Sequence, residues 1–400
     1  MKKQKVVVGM SGGHEPRGVH GESGLCVAVG MSGGVDSSLS AALLVEQGYD
    51  VTGVFLECWR EPGCRTDEDR KDALQVALKL KIPFKILDFK KEYKRKVVDY
   101  FYSEYKAGRT PNPDVMCNKE IKFGLFYDWS LDNDFDFVAT GHYARIVRNT
   151  RRIRESENQR IGNPEHGLLQ GKDVKKDQSY FLYRLRQDQL RHVLFPIGEM
   201  KKSQVREEAK KRNLHTANKP DSQGICFIGP VNIQEFLREK LEEKKGEVVD
   251  THGNVIGEHD GVWFYTVGQR HGFRLNSKFE ARNPKMKSAI PPLYVIEKDV
   301  KKNRLVVGYG AETYRNQFNV SDVNWIAKNK ELSIKNKGFK VRIRHGGDLI
   351  SAKSIIHNSK FVIRLKDPQR GVAAGQSAVF YLPRGKAGMG EECVGGGVIG

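Results

Sequence analysis

Residues 27–38 read Val-Ala-Val-Gly-Met-Ser-Gly-Gly-Val-Asp-Ser-Ser. A β-branched run enters a Gly/Ser turn, and apolar residues Leu39, Ala42, Leu43 and Val45 then recur at helical spacing. This predicts a strand, an anion-binding loop and a helix in succession. Gly30, Gly33 and Gly34 let the main chain approach an anion closely. The hydroxyls of Ser32, Ser37 and Ser38 and the free amides of the helix start can donate hydrogen bonds to it. Phosphate suits such a cradle, although the loop has neither a Walker A ending nor the dinucleotide spacing.

Two thiols offer a second chemistry. Cys117 follows Thr110-Pro111-Asn112-Pro113-Asp114-Val115-Met116, whose prolines stiffen the approach to a helix predicted to start near Cys117. A thiol at a helix start, with Lys119 and Lys122 nearby, is expected to have a lowered pKa. Asp114, three residues earlier, can hold or transfer a proton. Cys226 stands in Asp221-Ser222-Gln223-Gly224-Ile225-Cys226-Phe227-Ile228. Read alone, each cysteine fits a buried structural thiol as well as a nucleophile. The chain has six cysteines and no Cys-x-x-Cys pair, which argues against a disulfide scaffold and a structural zinc site. Cys58 and Cys64 read as incidental.

The elements that position these groups alternate. A strand is predicted at 51–56, a helix at 66–80, a strand at 84–88, helices at 91–105 and 121–129, and a strand at 135–140. That order predicts an α/β domain with a parallel sheet, whose ligands sit beyond the C-terminal strand ends. Residues 30–38, Leu56 and 140–142 all fall there. Residues 149–166 read as an exposed loop and 188–213 as an amphipathic helix. From about Lys219 short Val/Gly/Thr-rich segments follow, and from about Pro291 alternating strands dominate. The expected domains are therefore 25–218, a small linking domain at 219–290 and a β-barrel-like domain at 291–400. Residues 395–397 read as a turn. Residues 1–24 form an extension in which 6–13 nearly repeats 27–34 without the Val-Asp-Ser, so no ligand is expected there.

Of the 400 residues, 38% are hydrophobic, and no apolar run reaches membrane-spanning length. The apolar stretch after the first lysines ends at Gly9, too short for a signal peptide. A cytoplasmic protein without a membrane partner is expected. The net charge of +19 points to a polyanionic partner, nucleic acid first.

The run Ser-Gly-Gly-Val-Asp-Ser at 32–37 resembles the PP-loop of ATP pyrophosphatases, which cleave ATP between its α- and β-phosphates and adenylate a substrate oxygen. Further stretches resemble the tRNA-specific 2-thiouridylases: the Asn-Pro-Asp and Cys-Asn-Lys-Glu-Ile-Lys-Phe motifs at 112–123, Ala-Thr-Gly-His-Tyr at 139–143 and Lys-Asp-Gln-Ser-Tyr-Phe-Leu at 176–182. The segment around Cys226, Thr266-Val267-Gly268-Gln269-Arg270 and residues 375–381 are also similar. The likeness runs from about 27 to 399 and departs at the extension and at Gln223.

This resemblance implies an adenine nucleotide alpha hydrolase-like fold and ATP-dependent 2-thiolation of the wobble uridine of tRNA. ATP with Mg²⁺ would lie on Gly30, Met31, Ser32, Gly33, Gly34, Val35, Asp36 and Ser37, flanked by Leu56 and Gly141, with Asp36 as the candidate magnesium contact. Cys226 would carry sulfur as a persulfide, Cys117 would be the nucleophile and Asp114 an acid or base. Asn112, Pro113, Asp114, His142, Lys176, Asp177, Gln178, Arg344, His345 and Gln376 map to tRNA contacts. Implied partners are the Lys, Glu and Gln tRNAs and a persulfide carrier or cysteine desulfurase. Two alternatives stay open. The same reaction could use an iron–sulfur cluster on Asp114, Cys117 and Cys226. An amidating PP-loop ligase is the other, and it leaves the two separated cysteines unexplained.

Overall fold

The computed structural model describes residues 24–61, 64–148, 165–221, 224–229, 232–276, 292–327, 331, 334, 338–357, 360–384 and 390–400. The half-repeat of the extension, residues 149–164, Ser222, Gln223 and Pro291 lie outside them. The chain divides into two units, one of Met1–Val97, Asp114–Pro230 and Pro383–Cys393, the other of Val98–Pro113, Val231–Leu382 and Val394–Gly400.

In the first unit the run at Cys26 forms β1 (Cys26–Gly30), followed by α1 (Val35–Glu46), β2 (Asp50–Glu57), α2 (Thr66–Leu80) and β3 (Phe84–Asp88). β4 (Phe137–Ala139) and, later in the chain, Val193–Leu194 complete a parallel sheet in the order β3, β2, β1, β4, Val193–Leu194. The parallel α/β sheet expected from the alternation is present. Its central strands are covered on both faces, so they read as unbroken apolar runs; Val27, Ala28 and Val29 are wholly buried. α1 is buried almost all round, which accounts for its serines. Ser38 Oγ donates to the Gly34 carbonyl and Ser40 Oγ to that of Asp36, each at 2.8 Å.

Three expected helices are interrupted. The segment expected at 91–105 runs as Lys90–Tyr93, a π-helical stretch Lys94–Val98, and Asp99–Lys106. The segment expected at 121–129 begins earlier, as Pro113–Cys117, continues as a π-helix over Asn118–Leu125, and ends as Phe126–Asp132. The expected helix 188–213 is a single turn at Gln187–Leu190, the edge strand Val193–Leu194 and a helix at Lys202–Lys211. Pro196 and Gly198 break that segment, and pairing beside β4 overrides its helical periodicity.

In the second unit, Gly246–Val249, Val255–His259, Arg274–Leu275, Tyr294–Asp299 and Arg304–Gly308 form one five-stranded sheet. The last two were expected in the C-terminal barrel. Instead Arg304–Gly308 pairs in parallel with Gly246–Val249. The barrel is closed by six strands: Tyr314–Trp325, Phe339–Arg342, Ile350–His357, Lys360–Arg370, Ser377–Pro383 and Glu391–Ile399. Residues 395–397 belong to its last strand and are not a turn. A Cβ at Gly397 would lie 2.6 Å from the Ser321 carbonyl oxygen, so the glycine serves close strand packing.

Candidate active site

β1 ends at Gly30, and the Met31 amide donates to the Val54 carbonyl of β2 at 2.8 Å, fixing the loop's exit from the sheet. The Ser32 amide donates to Ser37 Oγ at 3.2 Å, and Ser37 Oγ donates to the Gly34 carbonyl at 3.2 Å. Gly33 has φ +72°, and a Cβ there would lie 2.2 Å from the Asp69 carbonyl oxygen. The glycine is thus required by α2 as well as by any phosphate. No side chain caps α1, so its first amides face the loop without an internal partner. From β4, a Cβ on Gly141 would lie 2.7 Å from Asp36 C and Ser37 N. Leu56 is buried near the C-terminal end of β2.

A charged network underlies this loop. Lys202 Nζ donates to both Asp36 oxygens at 2.8 Å and lies 2.8 Å from Asp221 Oδ1. Tyr143 OH donates to Asp36 Oδ1 at 2.7 Å. Asp221 also pairs with Lys176 at 2.6 Å and Arg206 at 2.7 Å. Burial works against the Asp221 carboxylate, but hydrogen bonds from Lys176 and Lys202 hold its pKa down at about 2. Lys219 Nζ donates to the Gly33 carbonyl at 3.0 Å and to Asp69 and Asp72, pinning the loop to α2. Lys202 and Lys219 were not legible in the sequence, because they stand 166 and 186 residues from their loop partners.

The two thiols meet. Cys117 Sγ donates to Cys226 Sγ at 3.5 Å, and both are free thiols. The Cys226 peptide is held at both ends: its amide donates to Asp114 Oδ1 at 3.0 Å, and Tyr93 OH donates to its carbonyl at 2.5 Å. Ile225 and Gly229 bridge across the turn, in which Phe227 takes φ +67°. That conformation costs about 1 kcal/mol or more in a non-glycine residue. Phe227 packs edge-on to Tyr93 at 5.8 Å between ring centroids, with the Lys122 ammonium 5.9 Å from its own ring centroid.

The expected lowering of the Cys117 pKa is reversed. Cys117 is the fifth residue of Pro113–Cys117 and not a helix start, and it is 0% exposed. Burial pushes its thiol up, and donating to Cys226 pushes it further. Cys226 is the lowered thiol: the hydrogen bond from Cys117 favours its thiolate, and Lys122 adds to this against the cost of burial. Burial opposes charge on Lys122, yet the neighbouring Cys226 and Cys117 raise its pKa. The π-helix brings Lys122 to this place. Lys122 stands five residues after Cys117, the separation that an i→i+5 register brings round to the same side, and the charges of both thiols act on it. Cys58 was read as incidental. It is buried beyond the end of β2, its pKa is raised by burial and then by Cys226, and its place at a strand end was the available signal.

The remaining site residues separate. His142 is buried, with Nδ1 2.7 Å from Thr140 Oγ1 and its ring against Phe123 and Phe195. Burial, then Lys122, holds its pKa well below the usual value, so it is neutral. Asp177 is 2% exposed and accepts from Gln170, Gly171 and Ser179. Gln178 Oε1 accepts from the Tyr143 amide at 2.9 Å. These two residues therefore shape the segment that carries Tyr143 to Asp36. In the second unit, Gln376 Nε2 donates to the carbonyls of Thr110 at 2.9 Å and Pro111 at 3.2 Å, steadying the approach to Asn112 and Pro113. Arg344 and His345 are exposed on a turn.

Among the described residues, no group of three or more His, Cys, Asp or Glu side chains is arranged to hold a metal ion. Asp114 Oδ1 accepts from the Cys226 amide, so Asp114, Cys117 and Cys226 lie together beside one turn. Asp36 fits a magnesium ion arriving on phosphates, which needs only one or two carboxylates from the protein.

A parallel sheet that sends β1 through a Gly-Gly loop into an uncapped helix defines a nucleotide-binding domain of the HUP class. A family model described as "tRNA methyl transferase HUP domain" matches residues 25–230. Models described as "tRNA methyl transferase PRC-barrel domain" and "Aminomethyltransferase beta-barrel domain" match 234–309 and 315–399. The chain is 41% identical over 381 residues to the tRNA-specific 2-thiouridylase MnmA of Lactobacillus helveticus, covering 93% of this chain and 94% of that protein. It is 42% identical over 380 residues to that of Oceanobacillus iheyensis, with the same coverage, and 41% over 384 residues to that of Bacillus subtilis, covering 93% and 94%. The chain belongs to the tRNA-specific 2-thiouridylase family.

Proposed function

We propose that this chain catalyses ATP-dependent 2-thiolation of the wobble uridine of tRNA. The observation that carries the reading is the contact of Cys117 and Cys226, 109 residues apart, at 3.5 Å in the unit that holds the Gly-Gly loop. ATP lies on Gly30–Ser37 between Leu56 and Gly141, and uridine O2 attacks its α-phosphate. Pyrophosphate leaves, and the poor C2–O leaving group becomes AMP. Magnesium, when bound with ATP, offsets charge on pyrophosphate, and Asp36 is the side chain that would hold it.

The Cys226 thiolate takes the terminal sulfur of a persulfide donor, whose own sulfur leaves as a thiolate. Cys117 then attacks Cys226 Sγ. The S–S bond to the sulfane sulfur breaks, hydrosulfide leaves with the electron pair, and a Cys117–Cys226 disulfide forms. Hydrosulfide adds to C2, AMP departs, and a thiol reductant resets the pair. Asp114 orients Cys226 through its amide in this reading. Asn112, Pro113, Asp114, Lys176, Arg344 and His345 are proposed to meet tRNA, whereas His142, Asp177, Gln178 and Gln376 support the segments that do. The proposed partners are the Lys, Glu and Gln tRNAs and a persulfide carrier or cysteine desulfurase, in the cytoplasm.

The test is nucleoside analysis of tRNA after incubation with the protein, ATP, Mg²⁺ and a persulfide donor. One AMP should appear per 2-thiouridine, with metal-free protein active. Activity that tracks iron content, with metal-free protein inert, would favour the cluster route. No thiolated nucleoside under either condition would overturn the assignment.

A further inference from the structure

Lys202 has no part in the sulfur-transfer chemistry, yet it is bound to the one acidic side chain of the phosphate loop. Its three ammonium protons meet three carboxylate oxygens, two of Asp36 and one of Asp221, each at 2.8 Å. Its amide donates to Asp173 Oδ2 at 2.9 Å, and its ammonium lies 5.6 Å from the centroid of the Tyr143 ring. The Lys202 side chain is only 13% exposed and Asp36 is half-buried, so the pair is held in a defined geometry that an arriving ligand can still reach. Asp221 is served in addition by Lys176 and Arg206. Three cations, Lys176, Lys202 and Arg206, thus face three carboxylates, Asp36, Asp173 and Asp221, beside the uncapped start of α1, and the charges balance.

A divalent cation that docks on Asp36 cannot share both carboxylate oxygens with an ammonium, because like charges that close repel. Lys202 must then find a new acceptor. The anion that brings the metal supplies one, and Asp221 keeps two other cations when Lys202 leaves. We propose that Lys202 is a polyphosphate-binding residue, held in reserve by Asp36 until the nucleotide and its metal arrive. The exchange keeps the loop neutral when empty and moves a cation onto the phosphates when filled. The proposal rests on the reading that the loop binds ATP, and is independent of which substrate oxygen is adenylated.

The test is calorimetric titration of the full chain with pyrophosphate and with α,β-methylene-ATP, each with Mg²⁺ and with EDTA. Lys202→Met should weaken binding of the magnesium complex by about tenfold or more, as removal of one charge-assisted hydrogen bond predicts, and Lys202→Arg should restore most of it. Asp36→Asn removes the loop charge that holds Lys202, leaving only Asp221, which has two other cations, so it should tighten metal-free pyrophosphate binding by about threefold or more and abolish the magnesium dependence. The Asp36→Asn/Lys202→Met double variant should lose that gain. Thermal unfolding of each variant identifies any that fail to fold, and the Lys202→Met and Lys202→Arg pair then decides alone. Unchanged affinity in folded Lys202→Met, or weaker metal-free binding in folded Asp36→Asn, overturns the proposal. A wild-type chain that binds neither ligand overturns the ATP reading itself, even if tRNA still binds.

Discussion

Cys117 and Cys226 have the same side chain and opposite character. Cys117 is buried and protonated, while Cys226 is partly open and favours its thiolate through Cys117 and Lys122. That polarity assigns sulfur loading to Cys226 and resolution to Cys117. Cys226→Ser should therefore abolish persulfide formation, whereas Cys117→Ser should leave a persulfide on Cys226 and no thiolated tRNA. Mass mapping of donor-treated protein checks both. Lys122 can be tested through the pH dependence of Cys226 alkylation by iodoacetamide. Its ammonium lowers the Cys226 pKa, so Lys122→Met should raise it, shrink the thiolate fraction at neutral pH and slow alkylation several-fold. Lys122→Arg should recover the rate. The other groups facing Cys226 are Asp114, which opposes the thiolate, and Tyr93 and Cys58, both held neutral by burial.

Among the elements, α2 itself holds the loop, through Lys219 and the close approach of Asp69 to Gly33. Gly33→Ala forces a side chain to φ +72° and into the Asp69 carbonyl. It should cost about 2 kcal/mol or more, seen as a lowered thermal midpoint, along with the loss of nucleotide binding. Asp221 links the helix Lys202–Lys211 to Lys176. Its folded pKa, about 2, lies below the ordinary value of 3.8, so its contribution is present above pH 4 and is lost as pH falls from there towards 2. With screening at a partly exposed site this amounts to about 1 kcal/mol. Urea unfolding between pH 3 and 6 should show a shallower acid decline in Asp221→Asn than in the unsubstituted chain.

For the whole molecule, part of the net charge of +19 lies on the barrel. Lys353 on one strand is directly opposite Arg364 on the next, and both are exposed. Like charges in register destabilise a sheet unless an anion covers them. Lys353→Gln/Arg364→Gln should weaken tRNA binding more at low salt than at high salt. It should lower the log–log salt slope by about 0.7–0.9 for each phosphate no longer neutralised, measured as Kd across a salt series. Charge substitution is a cleaner probe than truncation near residue 291, which would strip Tyr294–Asp299 and Arg304–Gly308 from the sheet of Gly246–Val249.

What depends on neighbours along the chain could be read from the residues alone. The Gly-Gly loop between β1 and α1, the parallel alternation through β4 and the residue types of the thiol motifs were legible because backbone freedom and hydrophobic period act locally. Motif likeness named the family for the same reason. The tertiary structure decided which thiol is the acid, since burial of Cys117 outweighed the helix-start argument. It also decided that Lys202 meets Asp36, that a π-helical register carries Lys122 to the thiols, and that Tyr294–Asp299 and Arg304–Gly308 join the middle sheet. Each of these turns on desolvation or on contacts between residues remote in sequence. Such terms have no local period from which they could be read.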